Sequence, residues 1–149
     1  MIIDTTYLLP LARIGVKTDL LRAIVEGRTR RGIGLRDLKV NLISLFELQA
    51  KAAKLGIPPG DVARAVNTVL RALPVIPFYR ADIIEIAHEL RKVLVDYIDC
   101  VVVATAAALR EDLVTEDRDI HSRREELEKS YGIEILSYRD LVSQQRPES

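Results

Sequence analysis

The chain is poor in the residues on which several kinds of chemistry depend. It has one cysteine in 149 residues, Cys100, so no internal disulfide can form and a cysteine-rich zinc site is excluded. With no obvious base beside it, that thiol reads as a small packed hydrophobe. The only histidines are His88 and His121, which leaves little for a histidine-based centre. Aromatic residues make up 5% of the chain, so stacking of nucleic-acid bases on exposed rings is limited, with Tyr7, Tyr79 and Tyr97 the exceptions to consider. Charge of either sign is not in excess: 22 basic residues cancel 22 acidic ones. Any attraction for a polyanion must therefore come from a local patch. No glycine-rich phosphate loop follows a strand. The longest apolar run, from Ile98 to Leu109, is shorter than the ~20 residues of a membrane-spanning helix, and Asp99 interrupts it. The opening Met1-Ile2-Ile3-Asp4 has no basic segment and makes a poor signal peptide. These absences lead to the expectation of a cytoplasmic protein with no membrane partner.

What is present is a regular alternation of apolar runs and amphipathic stretches. The length suits one domain, expected over residues 1–145, with 146–149 as a frayed tail. Short apolar runs predict strands at 1–3, 39–43, 75–78, 112–115 and 133–136. Helical spacing predicts helices over 18–26, 44–55, 61–73, 96–110 and 120–129. A further helix is marked by Ile83, Ala87, Leu90 and Leu94, and a last one begins near Tyr138. The 96–110 helix is apolar nearly all round and should be buried. Strands separated by helices predict an α/β fold, a three-layer α/β/α arrangement around a parallel five-stranded sheet.

In such sheets, sites form beyond the carboxyl ends of the strands. Four acids far apart in sequence fall there. Asp4 ends the first strand, Glu47 lies in the first turn after the second, and Asp117 lies just past the fourth. Asp99 opens the buried helix that leads into the fourth strand. Asp99 is the most telling, because burying an unpaired carboxylate costs several kcal/mol without a partner or a metal. Each acid also has a local reading. Asp4 and Asp117 could cap the helices that follow them, Asp99 could serve the helix dipole beside a capping Asp96, and Ser44-Leu45-Phe46-Glu47 matches a capping box. Together, four gathered carboxylates repel one another and call for a cation. Their hard oxygen atoms suit Mg²⁺ or Mn²⁺, which bind substrate phosphate and support phosphodiester hydrolysis. A haloacid-dehalogenase-type site wants a second Asp two residues after the first, where this chain has Thr6.

Four segments carry a family resemblance: Ile2-Ile3-Asp4-Thr5-Thr6-Tyr7-Leu8-Leu9, Ser44-Leu45-Phe46-Glu47-Leu48, Asp99 through Ala106, and Leu113-Val114-Thr115-Glu116-Asp117-Arg118-Asp119. In order and spacing the chain resembles the PIN domain family of metal-dependent nucleases over about residues 1–142. The resemblance implies that Asp4, Glu47, Asp99 and Asp117 ligate the metal, that Thr115 and Thr6 are hydroxyl supports, and that Asp119 is an accessory acid. Glu116 departs from the family, where many members have Asn, and Ile120 stands where many have Phe. Many small prokaryotic members resemble VapC toxins, endoribonucleases that dimerise and are silenced by a small antitoxin. The resemblance thus implies an RNA substrate, an antitoxin partner and a homodimer or higher homo-oligomer. A housekeeping RNA-processing nuclease and a catalytically silent binding module are the alternatives. For RNA phosphates, the arginines to consider are Arg28, Arg30 and Arg31 in the glycine-bearing loop, then Arg13 and Arg118.

Overall fold

Each strand of the fold is only two residues long, and the computed structural model describes residues 1–143. β1 (Ile2–Ile3) pairs in parallel with β4 (Leu113–Val114), and β4 pairs in parallel with β5 (Ile135–Leu136). β2 (Val40–Asn41) and β3 (Val75–Ile76) form a separate parallel pair. The expected five-stranded sheet is therefore corrected to a three-stranded and a two-stranded sheet. Between β1 and β2 only one bridge forms, Ile2 to Lys39, with Ile3 N–H donating to the Lys39 carbonyl at 3.0 Å. The pairing goes no further because both segments turn helical, at Thr5 after the first strand and at Leu42 after the second. The Asp4 and Val40 N–H groups bond outward, to the Val114 carbonyl at 3.2 Å and the Pro74 carbonyl at 3.1 Å.

Alternation along these short strands builds two cores. Ile2, Leu113 and Ile135 point into one cluster, and Ile3, Val114 and Leu136 into the other. The first cluster is closed by α4 (Ala81–Leu90), α5 (Tyr97–Leu109), α6 (Arg118–Ser122) and α7 (Arg124–Tyr131). The second is closed by a 3-10 helix (Thr5–Ala12), α1 (Leu20–Val25), α2 (Leu42–Lys54), α3 (Pro59–Ala72) and α8 (Tyr138–Leu141). Helices thus cover both faces, as parallel strands require. Each fully buried Ile or Leu in these layers contributes roughly 1.5–3 kcal/mol.

Side-chain caps set several helix boundaries. The strand expected over 39–43 stops at Asn41, because the Asn41 side chain accepts Ile43 N–H at 2.8 Å and starts α2 at Leu42. Ser44 consequently sits inside α2, buried, and is not its cap. The capping-box reading of Glu47 falls with it. Asp96 caps α5 by accepting the Ile98 and Asp99 N–H groups at 2.8 and 3.2 Å. The charged helix expected over 120–129 is two helices, α6 and α7, broken at Arg123. The expected tail at 146–149 lies outside the described residues. Among the described residues no helix is long and apolar enough to cross a membrane.

Candidate metal centre

The parallel strands deliver Asp4 and Thr115 to neighbouring positions at the carboxyl edge, and one hydroxyl ties them. Thr115 Oγ1 donates to Asp4 Oδ2 at 2.8 Å and accepts the Asp117 N–H at 3.0 Å. The other Asp4 oxygen accepts the Thr5 N–H at 2.7 Å, so Asp4 both caps the 3-10 helix and faces its neighbours. Burial raises the Asp4 pKa above the usual carboxylate range, against the hydrogen bonds from Thr115 and Thr5, and the charges of Glu47 and Asp117 raise it further.

Asp117 caps α6 by accepting Ile120 N–H at 3.0 Å. Its carboxylate nevertheless belongs to a cluster. One oxygen each from Asp99, Asp117 and Asp119 lies within 4.8 Å of the others. Asp99 occupies the first turn of α5, half-buried, and is pushed up to about 7. Burial is the main cause, followed by the charges of Asp117, Asp96, Asp4 and Glu47. Asp4 and Glu47 are therefore close enough to act electrostatically on Asp99. Glu47 is half-buried on α2, with Lys51 one turn away at 4.0 Å.

The cluster's chemistry fits a hard divalent cation. It offers several carboxylate oxygen atoms and no nitrogen or sulfur. Asp99 and the neighbouring Asp4 hold protons more tightly than usual, chiefly because burial disfavours their charged forms and secondarily because the nearby acids repel them. A cation at this point would reverse that penalty.

The arrangement sorts the residues expected from sequence. Asp99 and Asp117 come together, joined by Asp119, which was expected only as an accessory. Asp4 and Glu47 flank them. Thr115 supports the group directly, whereas the Thr6 hydroxyl has no hydrogen bond to these acids among the described residues. Thr5 lies closer to the acids through its backbone, and its buried hydroxyl lacks a hydrogen-bond partner, as does that of Ser44.

The arginines divide differently. Arg118 is exposed between Asp117 and Asp119. Arg13 is exposed, in the left-handed conformation (φ 62°), 3.8 Å from Asp61. Arg28 pairs with Glu26 at 3.0 Å. Arg30 is exposed, with its N–H on the Leu141 carbonyl at 2.8 Å. Arg31 pairs with Glu134 at 3.1 Å and lines a groove with Lys39, Glu111 and Asp112, residues that precede strands. Arg31 therefore stands at the amino edge, opposite the acids.

Sequence reasoning missed three contacts here. Asn41 Nδ2 donates to the buried Thr105 hydroxyl at 2.8 Å. His121 Nε2 contacts the Thr115 carbonyl at 2.7 Å, which makes that nitrogen the donor. Glu116 turns away from the acids and binds Tyr7 and the Tyr138 N–H. The first two partners lie far apart or behind a turn, and only the departure at position 116 offered a signal for the third.

The PIN domain family model matches residues 1–127. No curated protein sequence matches the chain significantly. Among solved structures, a toxin–antitoxin complex from Klebsiella pneumoniae is similar at 22% identity and a TM-score of 0.58, covering 80% of this chain and 88% of that one. FitAcB from Neisseria gonorrhoeae is similar at 15% identity and a TM-score of 0.64, covering 93% and 97%. VapBC2 from Rickettsia felis, bound to a DNA fragment from its promoter, is similar at 15% identity and a TM-score of 0.64, covering 91% and 96%. At these identities the likeness is one of fold.

Proposed function

We propose that this chain, which belongs to the PIN domain family, is a Mg²⁺- or Mn²⁺-dependent endoribonuclease and the toxin of a toxin–antitoxin pair. The observation that carries the reading is the convergence of Asp99, Asp117 and Asp119 within 4.8 Å, with Asp4 and Glu47 acting on Asp99. Asp4, Glu47, Asp99 and Asp117 are assigned to hold the metal, with Asp119 beside them. When bound, such an ion supplies charge stabilisation for the phosphate and a more acidic water. The chain's own residues hold the geometry. Thr115 keeps Asp4 oriented through Oδ2, and Asp96 secures the first turn of α5 that presents Asp99. Hydrolysis adds a water oxygen to phosphorus and breaks the bond to the leaving oxygen. With the ion bound, Asp99 would serve as an ionised ligand, and the proton lost by the attacking water is balanced by protonation of the leaving oxygen.

RNA as the substrate rests on the family resemblance, and Arg118, exposed between Asp117 and Asp119, is assigned the phosphate contact. Arg30 and Arg13 are exposed and are proposed to meet a longer strand, Arg13 from a long 3.8 Å ion pair with Asp61, whereas Arg28 and Arg31 are held in closer ion pairs at 3.0 and 3.1 Å. An antitoxin partner is supported by the Klebsiella pneumoniae neighbour, described as a toxin–antitoxin complex, and by a similar Mycobacterium tuberculosis structure described as a member of the VapBC family of toxin–antitoxin systems. It is also supported by an apolar cleft of about 440 Å³ between the 3-10 helix, α1 and α3, where Leu21, Leu35 and the exposed Val25 await cover. A homodimer is proposed on the same family grounds.

The test is cleavage of a mixed RNA pool with Mn²⁺ by the wild type and Asp99→Asn, with cut ends mapped. Cleavage that stops with EDTA and in Asp99→Asn supports the reading. Robust cleavage by Asp99→Asn overturns it. A wild type that binds Mn²⁺ but cuts no RNA points to the silent module instead.

A further inference from the structure

The turn after β4 carries three acids in four residues, and only two of them join the cluster. Glu116 is diverted. Its Oε2 accepts the Tyr138 N–H at 2.9 Å and the Tyr7 hydroxyl as well. Tyr7 is fully buried within the 3-10 helix that Asp4 caps, and Tyr138 opens α8 just past β5. One oxygen atom thus gathers three segments that are remote in sequence. The neighbouring residue holds the same turn from the other side, since Thr115 Oγ1 ties it to Asp4 and to the Asp117 N–H.

We infer that Glu116 and Tyr7 are positioning residues for the acid cluster: their bond pins the turn from which Asp117 and Asp119 project. The inference rests on the metal-nuclease reading above and goes beyond it, because neither residue belongs to the ligand set. A phenol is well suited to the task. Burial and the nearby Glu116 and Asp4 charges push the Tyr7 pKa up, so its hydroxyl stays a donor under all ordinary conditions. A phenylalanine there would fill the same space and leave Glu116 one donor short. Groups that orient metal ligands from behind typically matter 10–100-fold for metal affinity.

The experiment compares the full-length wild type with Tyr7→Phe, Glu116→Gln and Glu116→Ala. Amide hydrogen exchange over residues 115–121 is measured without metal, and Mn²⁺ affinity is measured by titration. Tyr7→Phe and Glu116→Ala should exchange faster in that turn and bind Mn²⁺ about tenfold more weakly. Glu116→Gln keeps an acceptor oxygen for both donors and should recover most of the affinity. Wild-type exchange rates in Tyr7→Phe, which keeps the core filled and should fold, would overturn the inference. So would a loosened turn with unchanged Mn²⁺ affinity, because the anchor would then be structural only. If the wild type itself binds no Mn²⁺, the metal reading fails, and the exchange rates alone decide whether Tyr7 and Glu116 position the turn.

Discussion

Thr115 and Asp4, 111 positions apart in sequence, meet through a 2.8 Å hydrogen bond between two buried side chains at the carboxyl ends of adjacent parallel strands. The same hydroxyl accepts the Asp117 N–H. Thr115→Val keeps the shape and removes both bonds, leaving a buried carboxylate short of a donor. A buried polar group so deprived costs about 1–3 kcal/mol. Urea unfolding should register that loss, and Mn²⁺ titration should register weaker binding in the same variant.

Asp99→Asn should have opposite effects on activity and on metal-free stability. Activity should fall on the order of 10²-fold or more, because about 3 kcal/mol of charge stabilisation is removed. The metal-free protein at pH 8 should melt higher than the wild type, since one member of a repelling group becomes neutral. A lower melting temperature would show that the Asp99 carboxylate has a stabilising partner beyond the neighbouring acids.

The pH dependence follows from the same residue. Asp99 moves from 3.8 in the unfolded chain to about 7 when folded. Between these values the folded state binds more protons than the unfolded one, so this contribution to metal-free stability is full below about 4, falls as pH rises, and is gone above about 7. The difference between wild type and Asp99→Asn in melting against pH isolates it. Mn²⁺ competes with the proton, so metal-induced stabilisation should grow as pH rises through 7.

Asn41 joins the helix cap to a buried side-chain bond. It starts α2, which carries Glu47, and reaches Thr105 on α5. Asn41→Ala should cost about 1–3 kcal/mol from the lost cap and the lost bond to the Thr105 hydroxyl, which keeps its own bond to the Val101 carbonyl at 2.7 Å. Chemical denaturation checks the cost. Asn41→Asp keeps the cap acceptor and should recover part of it.

Much of the fold was legible because it follows from local pattern. Two-residue alternation split Ile2 from Ile3 onto opposite faces, and the all-round apolar character of the Asp99 helix marked it as buried. The position of acids just past strands was legible for the same reason, because a parallel sheet sends every carboxyl end to one edge. Strand length was not legible. Lys39 through Ile43 has the composition of a strand, but the ladder ends at Asn41, which pairs with Ile76 through its backbone and caps the following helix with its side chain.

The sequence by itself determined the alternating elements, the burial of the Asp99 helix and the edge at which the acids gather, because periodicity and strand direction are local properties. Only the tertiary structure decided which acids touch. It drew Asp119 into the cluster, turned Glu116 toward Tyr7 and Tyr138, paired Arg31 with Glu134 at the far edge and divided the sheet in two. Those outcomes turn on hydrogen-bond and ion-pair partners brought together across the chain, and the choice among acids within four residues of one another depends on what each side chain meets in space.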